Sequence, residues 1–311
     1  VCTPSLSWSA HFPNTLDPWI AVKPSQSTYI PVRGLQYHIR SWGNPDAPKV
    51  IMLHGAQECS ASWQFVVDAL KSDWHLIAPD WRGYGLSAWT GAQTYWQQNL
   101  VGDLNVILNR YSPDEPALLF THSLGGNVAS VLAGLRPERV RRLVNVEGYN
   151  VPTIPVEDLH KRYSAWLDST SREQAPERAY KSYEAFAERM CKKNPRVTPE
   201  RALFFAQNLC KDVPGGGVTL RSDPAYGNAT PISYRLDEQS TYWSRITAPV
   251  LWVEGGASDW LHDLLKTGEY EKRVACFRNL TRERFELAGH NIHHEEPERL
   301  AEVCERFLLQ S

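Results

Sequence analysis

Short unbroken apolar runs alternate along this chain with stretches of helical period. Val50, Ile51, Met52 and Leu53 form one run, ending at His54-Gly55, and residues 75–79, ending at Asp80, form another. Apolar runs without polar alternation fit strands covered on both faces, as in a parallel sheet. Residues 61–71 between them read as a helix. The alternation continues through a strand at 117–121, a helix from Asn127 to Leu135 and a strand at 142–146. Strands separated by helices of this length need crossover connections, so the pattern predicts a doubly wound, mostly parallel sheet. Ahead of it, residues 27–32 and 35–42 alternate around Arg33-Gly34 as an opening hairpin.

The pattern stops at residue 149. Up to residue 244 the chain turns to helix-like segments rich in Glu, Arg, Tyr and Trp, broken by Pro195, Pro199 and Pro214-Gly215-Gly216-Gly217. It resumes with strands at 249–253 and 284–287 and a helix at 297–309. The expected organisation is therefore an α/β core of residues 27–148 and 245–311, with an inserted, mostly helical cap at 149–244. Residues 1–26, rich in Pro, Ser and Trp without a period, are expected to form a surface arm pinned by Trp8 and Trp19.

The chain has 311 residues, 42% of them hydrophobic, enough for one large core plus an insert. Its formal net charge of -2, with basic residues spread evenly, excludes the basic footprint of a nucleic-acid binder. No apolar run approaches the roughly 18 residues that cross a membrane, so neither nucleic acid nor membrane is an expected partner. Six cysteines lie without C-x-x-C spacing, which fits free thiols and a cytoplasmic protein, with Cys191–Cys210 the one pair worth considering as a disulfide. The chain does not begin with Met, so a removed leader stays open. Oligomeric state is not legible.

The chemistry concentrates at Thr121-His122-Ser123-Leu124-Gly125-Gly126, between a predicted strand and a predicted helix. A serine on such a tight turn is presented as a nucleophile, and the turn demands small neighbours. Serine needs an imidazole to take its proton and a carboxylate to orient that imidazole. His290, after Gly289 and before the last helix, is the expected base, with His293 and His294 as competitors. Asp259, on the loop after strand 249–253, is the first choice of acid, Glu147 the second and Asp263 the third. An oxyanion needs two backbone donors, and Ala56 and Leu124 are the candidates. His122 and His54 are expected to be structural.

His54-Gly55, the segment from Asp80 through Arg82, Gly83 and Gly85 to Ser87, the Ser123 turn, Gly256-Ala257-Ser258-Asp259 and Gly289-His290 resemble the α/β-hydrolase superfamily over residues 27–309. Leu220 to Pro224 and Ser233-Tyr234-Arg235, running into Trp243, resemble its serine hydrolase-like branch. The resemblance implies Ser123, His290 and an acid as a triad, with no metal and no organic cofactor. Dehalogenases and epoxide hydrolases share the layout but use an aspartate nucleophile, against which Ser123 argues. Some dehalogenases carry their acid at the position matching Glu147. Thr121, where the pattern has glycine, departs from it.

The expected function is hydrolysis of a carboxylic ester, with amide, thioester or lactone as variants, of a small to medium apolar or aromatic acid. Gln57, Trp166, Trp243 and Trp260 are the expected substrate contacts, because an aromatic cap walls an apolar pocket. Carbon–carbon bond hydrolysis or cofactor-free dioxygenation on the same His and acid is the rival chemistry. A non-enzymatic binding module is the rival from another class.

Overall fold

A computed structural model describes residues 22–91, 95–171, 178–228 and 230–310. Trp8, Trp19, Cys2 and nearly all of the expected arm lie outside the described residues. The hairpin forms from β1 (Gln26–Val32) and β2 (Leu35–Trp42), followed by β3 (Lys49–Leu53), α1 (Gln64–Ala69), β4 (His75–Pro79), α2 (Gln97–Tyr111), β5 (Ala117–His122), α3 (Leu124–Leu135) and β6 (Val140–Val146). Between β6 and β10 (Val250–Gly255) stand α4 (Leu159–Thr170), β7 (Ala179–Tyr180), α5 (Tyr183–Lys193), α6 (Pro199–Leu209), β8 (Cys210–Asp212), β9 (Val218–Leu220) and α7 (Leu236–Trp243). After β10 come α8 (Asp259–Thr267), α9 (Glu269–Val274), β11 (Leu280–Phe285), α10 (Ile292–Glu295) and α11 (Pro297–Leu308).

Eight strands form one sheet in the order β1-β2-β4-β3-β5-β6-β10-β11. The pairs β1–β2 and β2–β4 are antiparallel, and the pairs from β4 to β11 are parallel. Side chains alternate between two apolar layers, Ile51, Leu119 and Trp252 on one face and Met52, Phe120 and Val253 on the other. A strand sandwiched in this way has no polar face, which is why its sequence reads as a continuous apolar run. From β3 the chain runs to β4 on one side and later to β5 on the other. The direction of winding thus reverses between β3 and β5, and ligands of open α/β sheets bind at the carboxyl ends of such strands.

Two sequence expectations shift. Residues 60–63 form a 3-10 turn before α1, so that helix is shorter than predicted. The last strand is Leu280–Phe285 and not 284–287, because β11 is an edge strand whose Thr281, Arg282 and Arg284 are not buried, and the apolar criterion passes over it. Helix α2, which no sequence expectation covered, buries Leu100, Leu104, Ile107 and Leu108 at helical spacing. The described cysteines are all free, Cys191 and Cys210 among them. No described helix is long and apolar enough to cross a membrane.

Candidate active site

Between β5 and α3 the chain reverses through a single residue. Ser123 stands at φ 48° and ψ -114°, a conformation costly for a residue with a Cβ and held here by its surroundings. Its N–H donates to Val146 O at 2.8 Å, which ties the turn to β6. A Cβ on Gly125 would lie 2.2 Å from Leu53 O, so only glycine lets α3 start this close to β3. Thr121 fits where the pattern has glycine because its hydroxyl donates to Val144 O at 2.7 Å and stays buried without loss.

His290, on the loop before α10, reaches the serine: its Nε2 lies 3.0 Å from Ser123 Oγ. Its Nδ1 lies 3.0 Å from Glu147 Oε2. Glu147 follows β6 directly and is itself left-handed, at φ 55°. Four donors converge on its carboxylate: Gly255 N–H at 2.6 Å, Ser258 Oγ at 2.6 Å, the Tyr149 hydroxyl and the His290 ring. The carboxylate against His290 is therefore Glu147, and the expectation of Asp259 is corrected. Asp259 opens α8 as an exposed residue, and the segment that carries it contributes Ser258 instead, one position earlier. Asp263 is exposed on α8 and pairs with Lys266.

His293 and His294 do not compete for the serine. Both are buried, their rings tilted at 46° with centroids 4.0 Å apart, and turned toward Glu58, with His293 Nε2 at 3.1 Å and His294 Nε2 at 3.9 Å from Glu58 Oε1. His122 also faces Glu58, at 3.2 Å through Nδ1, while its Nε2 donates to His290 O at 2.9 Å. A ring that donates from Nε2 and points Nδ1 at a carboxylate suits the imidazolium. Burial opposes both charges, but the pair outweighs it: Glu58 is held well below the usual carboxylate range and His122 above the usual histidine value. Burial pushes His293 down to about 4, so the positive charge facing Glu58 is carried by His122. Glu58 and Tyr149 escaped the sequence reading, and Ser258 stood in it only as part of the motif at residues 256–259, although each lies within two residues of a candidate site position.

His54 is neutral and structural. Its Nδ1–H donates to Gly55 O at 2.7 Å, its Nε2 accepts the Trp81 N–H at 2.9 Å, and burial lowers its pKa. Asp80 braces the loop after β4 by accepting the N–H groups of Ser60 at 2.6 Å and Leu86 at 2.8 Å. Arg82 grips Asp103 through two bonds of 2.6 Å.

The expected oxyanion donors sit on the neighbouring ends of β3 and β5. Leu124 is the first residue of α3, where an N–H has no acceptor within the helix. Ala56 is exposed, and Glu58 fixes the turn before it by accepting the Gly55 N–H at 2.8 Å. Gln57 is also exposed, at φ 61°. Trp260 is 45% exposed with its ring 6.0 Å from that of His290, within reach of a substrate there. Trp166 lies half-buried on α4 against Tyr163. Trp243 is corrected: it is fully buried, stacked on Phe277 in the core where α7 packs on α3, and cannot touch substrate.

The model of the alpha/beta hydrolase fold family matches residues 48–297, most of the chain. The chain belongs to the α/β-hydrolase family. A serine hydrolase-like protein of Danio rerio is 25% identical to it over 275 residues, covering 86% of this chain and 83% of its own. An esterase of Mycobacterium tuberculosis is 26% identical over 269 residues, covering 86% and 84%. The thioesterase domain from the curacin biosynthetic pathway, 22% identical, superposes with a TM-score of 0.78 over 90% of this chain and 99% of that one, a likeness of fold. Family and relatives mark this α/β-hydrolase fold protein as a hydrolase.

Proposed function

We propose that this α/β-hydrolase cleaves carboxylic esters through an acyl-enzyme on Ser123. The observation that carries the reading is the unbroken line from Ser123 Oγ to His290 Nε2 to Glu147, each step 3.0 Å. With its Nδ1–H donated to Glu147, His290 keeps the Nε2 lone pair for the serine proton. Oγ then attacks the ester carbonyl, and the oxygen that gains the charge meets the N–H groups of Ala56 and Leu124. His290 passes its proton to the departing alcohol, and water releases the acid by the same route. Glu147 orients the ring and stabilises the imidazolium between these steps. The name of the Mycobacterium tuberculosis relative, an esterase, supports this chemistry.

Trp260 beside His290, with Trp166 and Tyr163 on α4, suits an apolar or aromatic acyl group, and Gln57 offers a polar contact near the oxyanion. The test is a series of p-nitrophenyl esters of graded chain length combined with a fluorophosphonate probe. Turnover that is lost as Ser123 becomes covalently labelled supports the reading. Turnover of a diketone or an aromatic ring that survives full labelling transfers the site to the rival chemistry. Tight ligand retention with no turnover transfers it to a binding role.

A further inference from the structure

Behind the catalytic histidine lies a second group of polar side chains that ester hydrolysis does not use. Glu58, His122 and His293 bring one ligand atom each to within 4.8 Å of one another, all three residues buried. His122 Nδ1 lies 3.2 Å from Glu58 Oε2 and His293 Nε2 3.1 Å from Glu58 Oε1, so the two rings face the two oxygens of one carboxylate, and a cation of the Zn²⁺ type held at about 2.1 Å would draw the three side chains closer together. A second observation is independent of this spacing. Both ring nitrogens of His293 are buried without a hydrogen-bond partner among the described residues, and although Nε2 is close to Glu58 it is not aligned to donate to it. A buried polar atom left unpaired is costly, and a cation accepting the His293 Nε2 lone pair satisfies one of the two nitrogens.

We propose that Glu58, His122 and His293 form a binding site for a borderline divalent transition-metal cation such as Zn²⁺, and that filling it slows turnover. Two imidazoles and one carboxylate with a fourth position open suit Zn²⁺ and its neighbours, whereas Mg²⁺ and Ca²⁺ prefer oxygen donors. His294, with Nε2 3.9 Å from Glu58, stands next to that position. On binding, the cation takes the Nδ1 lone pair of His122 and one proton leaves. The His122 Nε2–H bond to His290 O persists. Glu58, drawn to the cation, relaxes its hold on the Gly55 N–H and so on the turn that carries Ala56. The regulatory half of the proposal rests on the ester hydrolase reading, and the binding half does not.

The experiment titrates the full chain with ZnCl₂ by calorimetry, with MgCl₂ as control. One equivalent of Zn²⁺ is expected to bind, Mg²⁺ to give no binding, and Glu58→Gln and His293→Gln each to weaken Zn²⁺ by more than about 100-fold, beyond what loss of an outer partner costs. His160→Gln, at an exposed histidine on α4, is expected to leave binding unchanged. Absence of stoichiometric binding, or binding retained in both site variants, overturns the proposal. Because either variant can fail to fold, a zinc-edge anomalous map of wild-type crystals decides alone: a peak among the three side chains supports the site, and a peak elsewhere or none overturns it. Ester turnover is followed in the same titration. A filled site with undiminished turnover overturns the regulatory half, and a filled site in a chain without any ester turnover overturns the hydrolase reading and leaves the binding standing.

Discussion

Two glutamate–histidine systems meet at His290 and use the same residue types differently. Glu147 holds the His290 ring, and His122, paired with Glu58, holds the His290 carbonyl. In the first system every acceptor of the carboxylate is occupied, and the histidine, 26% exposed, turns its second nitrogen toward a hydroxyl. In the second, the three histidines are buried and four of their six ring nitrogens have no hydrogen-bond partner among the described residues. On the proposed function, a Glu–His pair becomes a catalytic device only where the far nitrogen opens onto a reactive group. Turned inward, the same pair is a buried ion pair that braces the His290 carbonyl.

The widest separation between the two systems is expected from their loss. Ser123→Ala is expected to lower ester turnover by roughly 10⁴-fold or more with an unchanged melting temperature, since the serine forms a bond no neighbour replaces. Residual activity above a tenth of wild type in a folded variant would falsify the nucleophile. Next, Glu147→Gln is expected to cost roughly 10⁴-fold in kcat by misorienting the imidazole, and Asp259→Asn less than about threefold. Steady-state kinetics of the two variants side by side check this, and the reverse order returns the role to Asp259.

Glu58→Gln tests the inward system. It leaves the His122 charge buried without its partner, an arrangement that costs about 3 kcal/mol in comparable pairs, read as a lower urea midpoint. If stability is unchanged while turnover collapses, the division between the two systems is wrong. Ser258→Ala removes one of the four donors to Glu147 and is expected to lower kcat about tenfold, the equivalent of one hydrogen bond to a charged group, with KM unchanged. An effect on KM alone would place Ser258 at the substrate and not behind the acid.

The smallest effect concerns Asp80, a buried carboxylate with no part in the chemistry. Burial opposes its charge, but the bond and charge of His38 and the Leu86 N–H outweigh it and hold its pKa below the ordinary 3.8. A carboxyl depressed in the fold contributes stability above its unfolded pKa and loses it as pH falls through the folded value, at most about 1.4 kcal/mol per pH unit. Urea midpoints of the wild type are expected to drop below about pH 4, and Asp80→Asn, less stable at neutral pH, to flatten that drop. An equally steep acid limb in the variant assigns the dependence to other carboxylates.

The meeting of Ser123 and His290 was legible in the sequence because each lies in a local pattern: a strand, a small-residue turn and a helix for one, a glycine before the final helices for the other. The carboxylate that meets His290 was not legible. Glu147 and Asp259 follow β6 and β10, parallel neighbours in the sheet, so both chain ends emerge at the same edge and order along the sequence does not separate them. What separates them is the backbone: the left-handed turn at Glu147 and the inward amide of Gly255. Trp243 misled for a related reason. An aromatic residue in the insert can face a pocket or the core, and the packing of α7 on α3 decides for the core. The eight-stranded core was readable where strands are covered on both faces and faded at the polar edge strand β11.

Glu147 and the amide that anchors it are 108 positions apart in the chain, with the whole insert between them. During folding, β1 to β6 can assemble and present the serine turn while the insert is still an open loop. Only when β10 docks beside β6, and β11 beside β10, do Gly255, Ser258 and His290 reach the carboxylate. Closing so long a loop costs entropy before any of those contacts repays it, and non-local pairings of this kind form slowly. On the proposed function, turnover is accordingly expected to recover late on refolding, as the far half of the sheet closes.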